Sequence, residues 1–134
     1  MRAEITAMLA ADAAGGPIVN VSSIRGTFGA PGQSVHGATK AAVIAISRTA
    51  AAEYGPDGIR VNVIAPGVTM TDMMTGWQRR EPSIVDDLSS LAALRRVGQP
   101  QEVAEAAAWL LSDRASYVTG STLGVDGGSG PWPH

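Results

Sequence analysis

The chain has 134 residues, 45% hydrophobic and 16% charged, with ten basic against twelve acidic side chains and no cysteine. This is the composition of one globular domain spanning residues 1–134, and a formal net charge of -2 without a block of like charge excludes a nucleic-acid footprint. The lack of cysteine excludes disulfides and thiolate metal sites. No apolar run reaches the roughly 18 residues of a membrane span and no signal-peptide core opens the chain, so the expectation is a soluble, cytoplasmic protein without nucleic-acid or membrane partners.

Residues 2–12 place Ile5, Met8, Leu9 and Asp12 at helical spacing and run into Ala-Ala-Gly-Gly, a helix stop. Pro17 to Ser22 is a short β-branched run and reads as a buried strand. A loop follows, with Gly26, Gly29, Pro31 and Gly32 as turn formers. Ser34 is the expected N-cap of a long Ala-rich helix from Val35 to Tyr54, ended by Gly55-Pro56. The second strand, Ile59 to Ile64, is closed by the turn Ala65-Pro66-Gly67. Residues 68–96 are polar and mixed and read as a loop with short helical pieces. Gln99-Pro100-Gln101-Glu102 opens the last helix, with proline at its first position and an acid in its first turn. Val103, Ala107, Leu110 and Leu111 give that helix an apolar face up to Asp113. A final strand, Ser121 to Val125, stops at Asp126-Gly-Gly.

Strands alternating with crossover-length helices imply an α/β fold, a parallel sheet with helices on its faces. Three strands and about three helices make half of a doubly wound Rossmann-type sheet, which has two mononucleotide-binding halves.

One spacing carries chemistry. Ser23, His36 and Lys40 form a Ser-(x12)-His-(x3)-Lys pattern, set in VSSIRG and SVHGATKAA. His36 and Lys40 are one helical turn apart and so share a helix face. Taken singly, each residue has a plain structural reading: Ser23 caps a strand end, Lys40 is a surface lysine, and Pro66-Gly67 is a turn. Asp126 and His134 read as structural and tail residues, and no His, Asp and Glu cluster has metal spacing.

Five segments together resemble the C-terminal half of the short-chain dehydrogenase/reductase family. They are Ile18–Ser23 (the fifth strand), His36–Ala42 (the catalytic helix), Gly58–Gly67 (the sixth strand and cofactor loop), Arg96–Ala104 and Tyr117–Gly128 (the last helix start and seventh strand). The resemblance implies NAD- or NADP-dependent hydride transfer on a small alcohol or carbonyl substrate. It assigns Ser23 to the substrate oxygen, position 36 to proton transfer, and Lys40 to the nicotinamide ribose and to lowering the pKa of a phenol. It gives the backbone after Pro66 and Gly67, at Val68 and Thr69, to the nicotinamide carboxamide and Thr71 to the phosphates. Position 36 departs from the pattern: the family has tyrosine, and an imidazole is shorter than a phenol, so His36 reads as a solvated helix residue in preference to an acid/base.

The family's glycine-rich nucleotide turn, its NAD/NADP-selecting residue and its catalytic asparagine have no counterpart in these 134 residues. Met1 is accordingly expected to lie inside a once longer domain. Two functional classes follow: an oxidoreductase impaired as an isolated chain, or a non-catalytic remnant serving as a structural or partner-binding module. Homo-oligomerisation is expected through helix 35–54 and the C-terminal helix and strand. A bare edge on the strand at Ile18–Val21, with exposed backbone and apolar side chains, is expected to promote association or aggregation.

Overall fold

The central strand of the computed structural model, which describes residues 1–11 and 15–130, is the most buried part of the chain. Numbered in chain order, the helices are α1 (Arg2–Ala10), α2 (Ser34–Tyr54), α3 (Asp72–Gln78), α4 (Ile84–Ser89) and α5 (Pro100–Leu111). The strands are β1 (Gly16–Val21), β2 (Ile59–Pro66) and β3 (Thr122–Val125), in the order β1-β2-β3 with both pairings parallel. Gly16 is in register with Ile59 and Val21 with Ile64, while Val63 to Pro66 match Thr122 to Val125. The expected α/β half-sheet is therefore what the chain forms.

Alternation along β2 sorts its side chains between two layers. Ile59 and Val61 join Ile5, Ile18, Ala50 and Ala51 in a core covered by α1 and α2. Ile64 faces the other way, into a core with Leu110, Ala115, Val103 and Ala107 of α5 and its flanks. Arg60 and Asn62 share that second face and are hydrogen-bonded. Arg60 donates to the carbonyls of Leu110, Ser112 and Val118, each at 3.1 Å, the first two being acceptors at the C-terminal end of α5 and the third lying in the turn before β3. Asn62 is fully buried and staples the turn before β3, donating from Nδ2 to the Val118 carbonyl at 2.7 Å and accepting from the Ser121 N–H at 3.0 Å.

Several expected boundaries shift for identifiable reasons. Ser34 is the first helical residue of α2 and Gln33 occupies the N-cap without a side-chain bond, so Ser34 is not a cap. Gly55 stays right-handed and leads into a 3-10 turn at Gly55–Asp57; the left-handed stop is Gly58, at φ 74°. Pro66 is not part of a turn but the last residue of β2, in register with Val125. A parallel strand alternates its backbone groups between neighbours, and Pro66 lacks a donor on the side facing β1, beyond the end of the pairing with Val21. α1 is shorter than residues 2–12, and Asp12, like His134, lies outside the described residues. Leu9 and Leu111 point to solvent, at 50% and 46% exposure, while Ile5 and Leu110 carry the burial of their helices.

The start of α5 follows expectation, with Pro100 at its first turn and the Glu102 carboxylate accepting from the Gln99 N–H at 2.7 Å. Arg96 adds a two-pronged ion pair to the same carboxylate, at 2.6 and 2.8 Å. The Arg96 hydrogen bond, then the Gln99 N–H, hold the Glu102 pKa down at about 2.

Among the described residues β1 is a sheet edge, but its apolar side chains are not bare as expected. Ile18 is buried beneath α1 and α2, and Val19 packs against the α5 cluster; Val21 alone is largely exposed, at 55%. The free backbone is also reduced. Ser22 donates to Ile64 and Gly16 to Gly58, so residues 17, 19 and 21 face outward, where Pro17 has no N–H and the Val21 carbonyl accepts from Lys40 Nζ at 3.3 Å. Among the described residues no helix is long and apolar enough to cross a membrane.

Candidate functional site

Ser22 and Ser23 leave the end of β1 in opposite directions. The Ser22 hydroxyl is buried and donates to the Lys40 carbonyl of α2 at 2.8 Å, tying the strand end to the helix. Ser23 turns outward and its hydroxyl accepts from the Arg25 N–H at 3.2 Å, opening a 3-10 turn at Ile24–Gly26. The plain reading of Ser23 as a cap thus holds, and its hydroxyl proton is left free to donate.

Two glycines set how closely this turn approaches α2. A Cβ on Gly26 would lie 2.7 Å from the Lys40 carbonyl carbon, and one on Gly37 would lie 3.0 Å from the Arg25 carbonyl oxygen. Gly26 sits in the turn, as the sequence suggests, and its missing Cβ is in addition what the close contact with α2 requires. The close approach puts Ser23 beside the helix face that carries His36 and Lys40, and all three line one cleft of about 800 Å³. His36 is exposed in the first turn of α2.

The opposite wall comes from the chain leaving β2. A Cβ on Gly67 would fall 2.7 Å from the Asp126 Cα, and the Gly67 N–H donates to Val125 at 3.0 Å, so only glycine lets the loop pass this close to β3. The next residues are clamped: Gly98 N–H donates to Val68 and Met70 N–H to Gly98, both at 2.9 Å, with a bridge between Thr69 and Gly98. Thr71 then caps α3, its hydroxyl accepting from the Met74 N–H at 3.4 Å. Pro66, Gly67, Val68, Thr69 and Thr71 all line the same cleft as the serine, histidine and lysine.

The structure thus brings together every residue singled out as a site candidate, from positions 23 to 71. It also supplies lining the sequence could not position: Arg25 and Phe28 from the first loop, Met73, Met74 and Trp77 from α3, Leu88 from α4 and Leu91 just after it. The signal available was only that both loops leave the C-terminal ends of parallel strands, where ligands of open α/β sheets bind. Asp126 plays a structural part, its carboxylate accepting from the Gly128 N–H at 2.9 Å. Among the described residues no group of three His, Asp or Glu side chains gathers as a metal site.

A family model described as enoyl-(acyl carrier protein) reductase matches residues 2–130. The chain is 50% identical over 128 residues to an A-factor type gamma-butyrolactone 1'-reductase of Streptomyces virginiae, covering 96% of this chain and 49% of that protein. It is 45% identical over 113 residues to a 3-oxoacyl-(acyl-carrier-protein) reductase of Chlamydia muridarum, covering 84% of this chain and 44% of that one. The solved structure of ElxO with NADP bound superposes with a TM-score of 0.90 at 32% identity, over 96% of this chain and 51% of that chain. The chain spans about half the length of the curated relatives it matches. On sequence and fold, the chain belongs to the short-chain dehydrogenase/reductase family and corresponds to about half of such a protein.

Proposed function

We propose that the cleft is the substrate and nicotinamide end of an NAD(P)-dependent oxidoreductase site that moves hydride between the cofactor and a small alcohol or carbonyl compound. One observation carries the reading: residues from three separate segments, Ser23, His36 with Lys40, and Val68 to Thr71, converge on one 800 Å³ cleft. The donor set suits the cofactor, with a lysine ammonium for the nicotinamide ribose, a clamped backbone at Val68 and Thr69 for the carboxamide, and Thr71 for the phosphates. Bound there, the nicotinamide would supply the hydride. The Ser23 hydroxyl donates to the substrate oxygen, and position 36 carries the proton. Pro66 and Gly67 set the loop's path.

In this reading residues 1–134 are one partial domain, and the chain by itself is impaired. The family's glycine-rich nucleotide turn is not among them, and histidine stands at the proton-transfer position. NADP is the cofactor in the ElxO structure, which supports NAD(P) as a class. A cysteine-free chain suits the cytoplasm. The test is calorimetric titration of NADH and NADPH into the 134-residue chain: weak but saturable binding of either is expected, and no saturable heat would remove the oxidoreductase reading for the isolated chain.

A second reading, a non-catalytic module that serves in assembly, draws on the outer face of α2. Val35 and Ile46 there are 77% and 56% exposed, with Ala41, Ala42 and Ala45 also at the surface. They form apolar surface suited to a second copy, Leu111 of α5 is a separate exposed apolar position on the other side of the sheet, and a homo-oligomer through α2 and the C-terminal helix and strand is proposed under both readings. Sedimentation should give a dimer or larger, and Ile46→Glu should shift it toward monomer; a native monomer at 50 μM, on the order of the working concentration of weak dimers, would sink this proposal.

A further inference from the structure

The cleft gathers positive charge on a chain whose formal net charge is -2. Its lining holds two cations, Arg25 and Lys40, and no aspartate or glutamate. Lys40 is engaged with the Val21 carbonyl and is assigned to the cofactor ribose in the reading above. Arg25 has no part in that reading. Its guanidinium lies 5.2 Å from the centre of the Phe28 ring, a contact that steadies the cation while leaving its fork of donors free. Neither ion pair found among the described residues involves it.

Arg25 is also anchored close to the chemistry. Its N–H donates to the Ser23 hydroxyl, and the turn that carries both is pressed onto α2 at Gly26. Much of the remaining lining is apolar: Met73, Trp77, Leu88 and Leu91 are exposed or half-buried around the cleft. A cation two residues from the substrate-oxygen donor, with apolar surface beyond it, fits a ligand with one anionic end and a hydrocarbon body.

We propose that Arg25 is a specificity-determining residue, and that the substrate is a carbonyl or alcohol compound bearing a carboxylate that pairs with Arg25 and an apolar body that packs on Met73, Trp77 and Leu91. The proposal deepens, and rests on, the oxidoreductase reading of the same cleft. Its test needs no nicotinamide, so the two can fail separately. Octanoate and its uncharged isostere octanamide are titrated by calorimetry into the 134-residue chain, with acetate as a probe of the carboxylate alone. Octanoate should bind about tenfold more tightly than either, the size of effect expected of one charge-assisted contact. Arg25→Gln should erase the preference over octanamide, while Arg25→Lys, which keeps the charge and controls for folding, should keep part of it. Equal affinities for octanoate and octanamide in the native chain, an undiminished preference in the glutamine variant, or no saturable heat with any probe would each overturn the proposal.

Discussion

Replacing Asn62 by leucine is expected to destabilise the fold by about 1–3 kcal/mol, the cost of leaving the buried Ser121 N–H without a partner while the Val118 carbonyl keeps its bond from Arg60. The residue is 0% exposed and lies between two strands' worth of chain that are otherwise far apart in sequence. Its amide satisfies the Val118 carbonyl and the Ser121 N–H at once. Leucine has similar bulk and would gain some apolar burial, but it offers neither a donor nor an acceptor. Asn62→Asp should do at least as much damage at neutral pH, since it retains the acceptor toward Ser121 and sets a carboxylate oxygen against the Val118 carbonyl. Urea unfolding followed by far-UV circular dichroism measures both variants. A loss under 1 kcal/mol for the leucine variant, below the low end of the range for even one unsatisfied group, would show that water or backbone rearrangement replaces the amide.

The contrast between Asn62 and its neighbours shows what the linear sequence carries. Ile59, Val61, Val63 and Ile64 announce a buried strand by composition, and they are buried. Arg60 and Asn62 look in sequence like the polar side of that strand. Their partners lie some 50 to 60 residues downstream, at Leu110, Ser112, Val118 and Ser121, and no local pattern encodes such a pairing.

The site is legible in a similar, partial way. Helical periodicity puts Lys40 on the face of His36, and it takes no fold to see that. The distance from Ser23 to that face depends on a turn whose packing is decided by a missing Cβ at Gly26, and a glycine in a loop reads first as a bend. Arg25 was hidden for the same reason: a loop arginine has no period, and only the Phe28 ring beneath it and the cleft beside it give it a place.

Tyrosine at position 36 should raise NADPH-dependent carbonyl reduction by this chain by a factor of about 10²–10⁴, the contribution of a well-placed general acid. The argument concerns reach and charge. A phenol extends further from the helix than an imidazole, and Lys40, four residues on and lining the same cleft, would stabilise the phenolate that remains when the proton is given to the substrate oxygen. Position 36 is exposed in the first turn of α2, and its backbone bond, Thr39 Oγ1 to the His36 carbonyl at 2.8 Å, does not depend on the side chain. His36→Tyr should consequently leave the unfolding free energy within about ±0.5 kcal/mol of the native chain, so that a change in rate reports chemistry and not folding. The measurement is the oxidation of NADPH with a straight-chain ketone, native against variant, with Lys40→Met in both backgrounds. If tyrosine acts through its phenol, removing Lys40 should cost far more in the tyrosine background than in the native one. An unchanged rate in His36→Tyr, at intact stability, would mean that proton transfer at 36 does not limit the isolated chain and that its weak hold on the cofactor does.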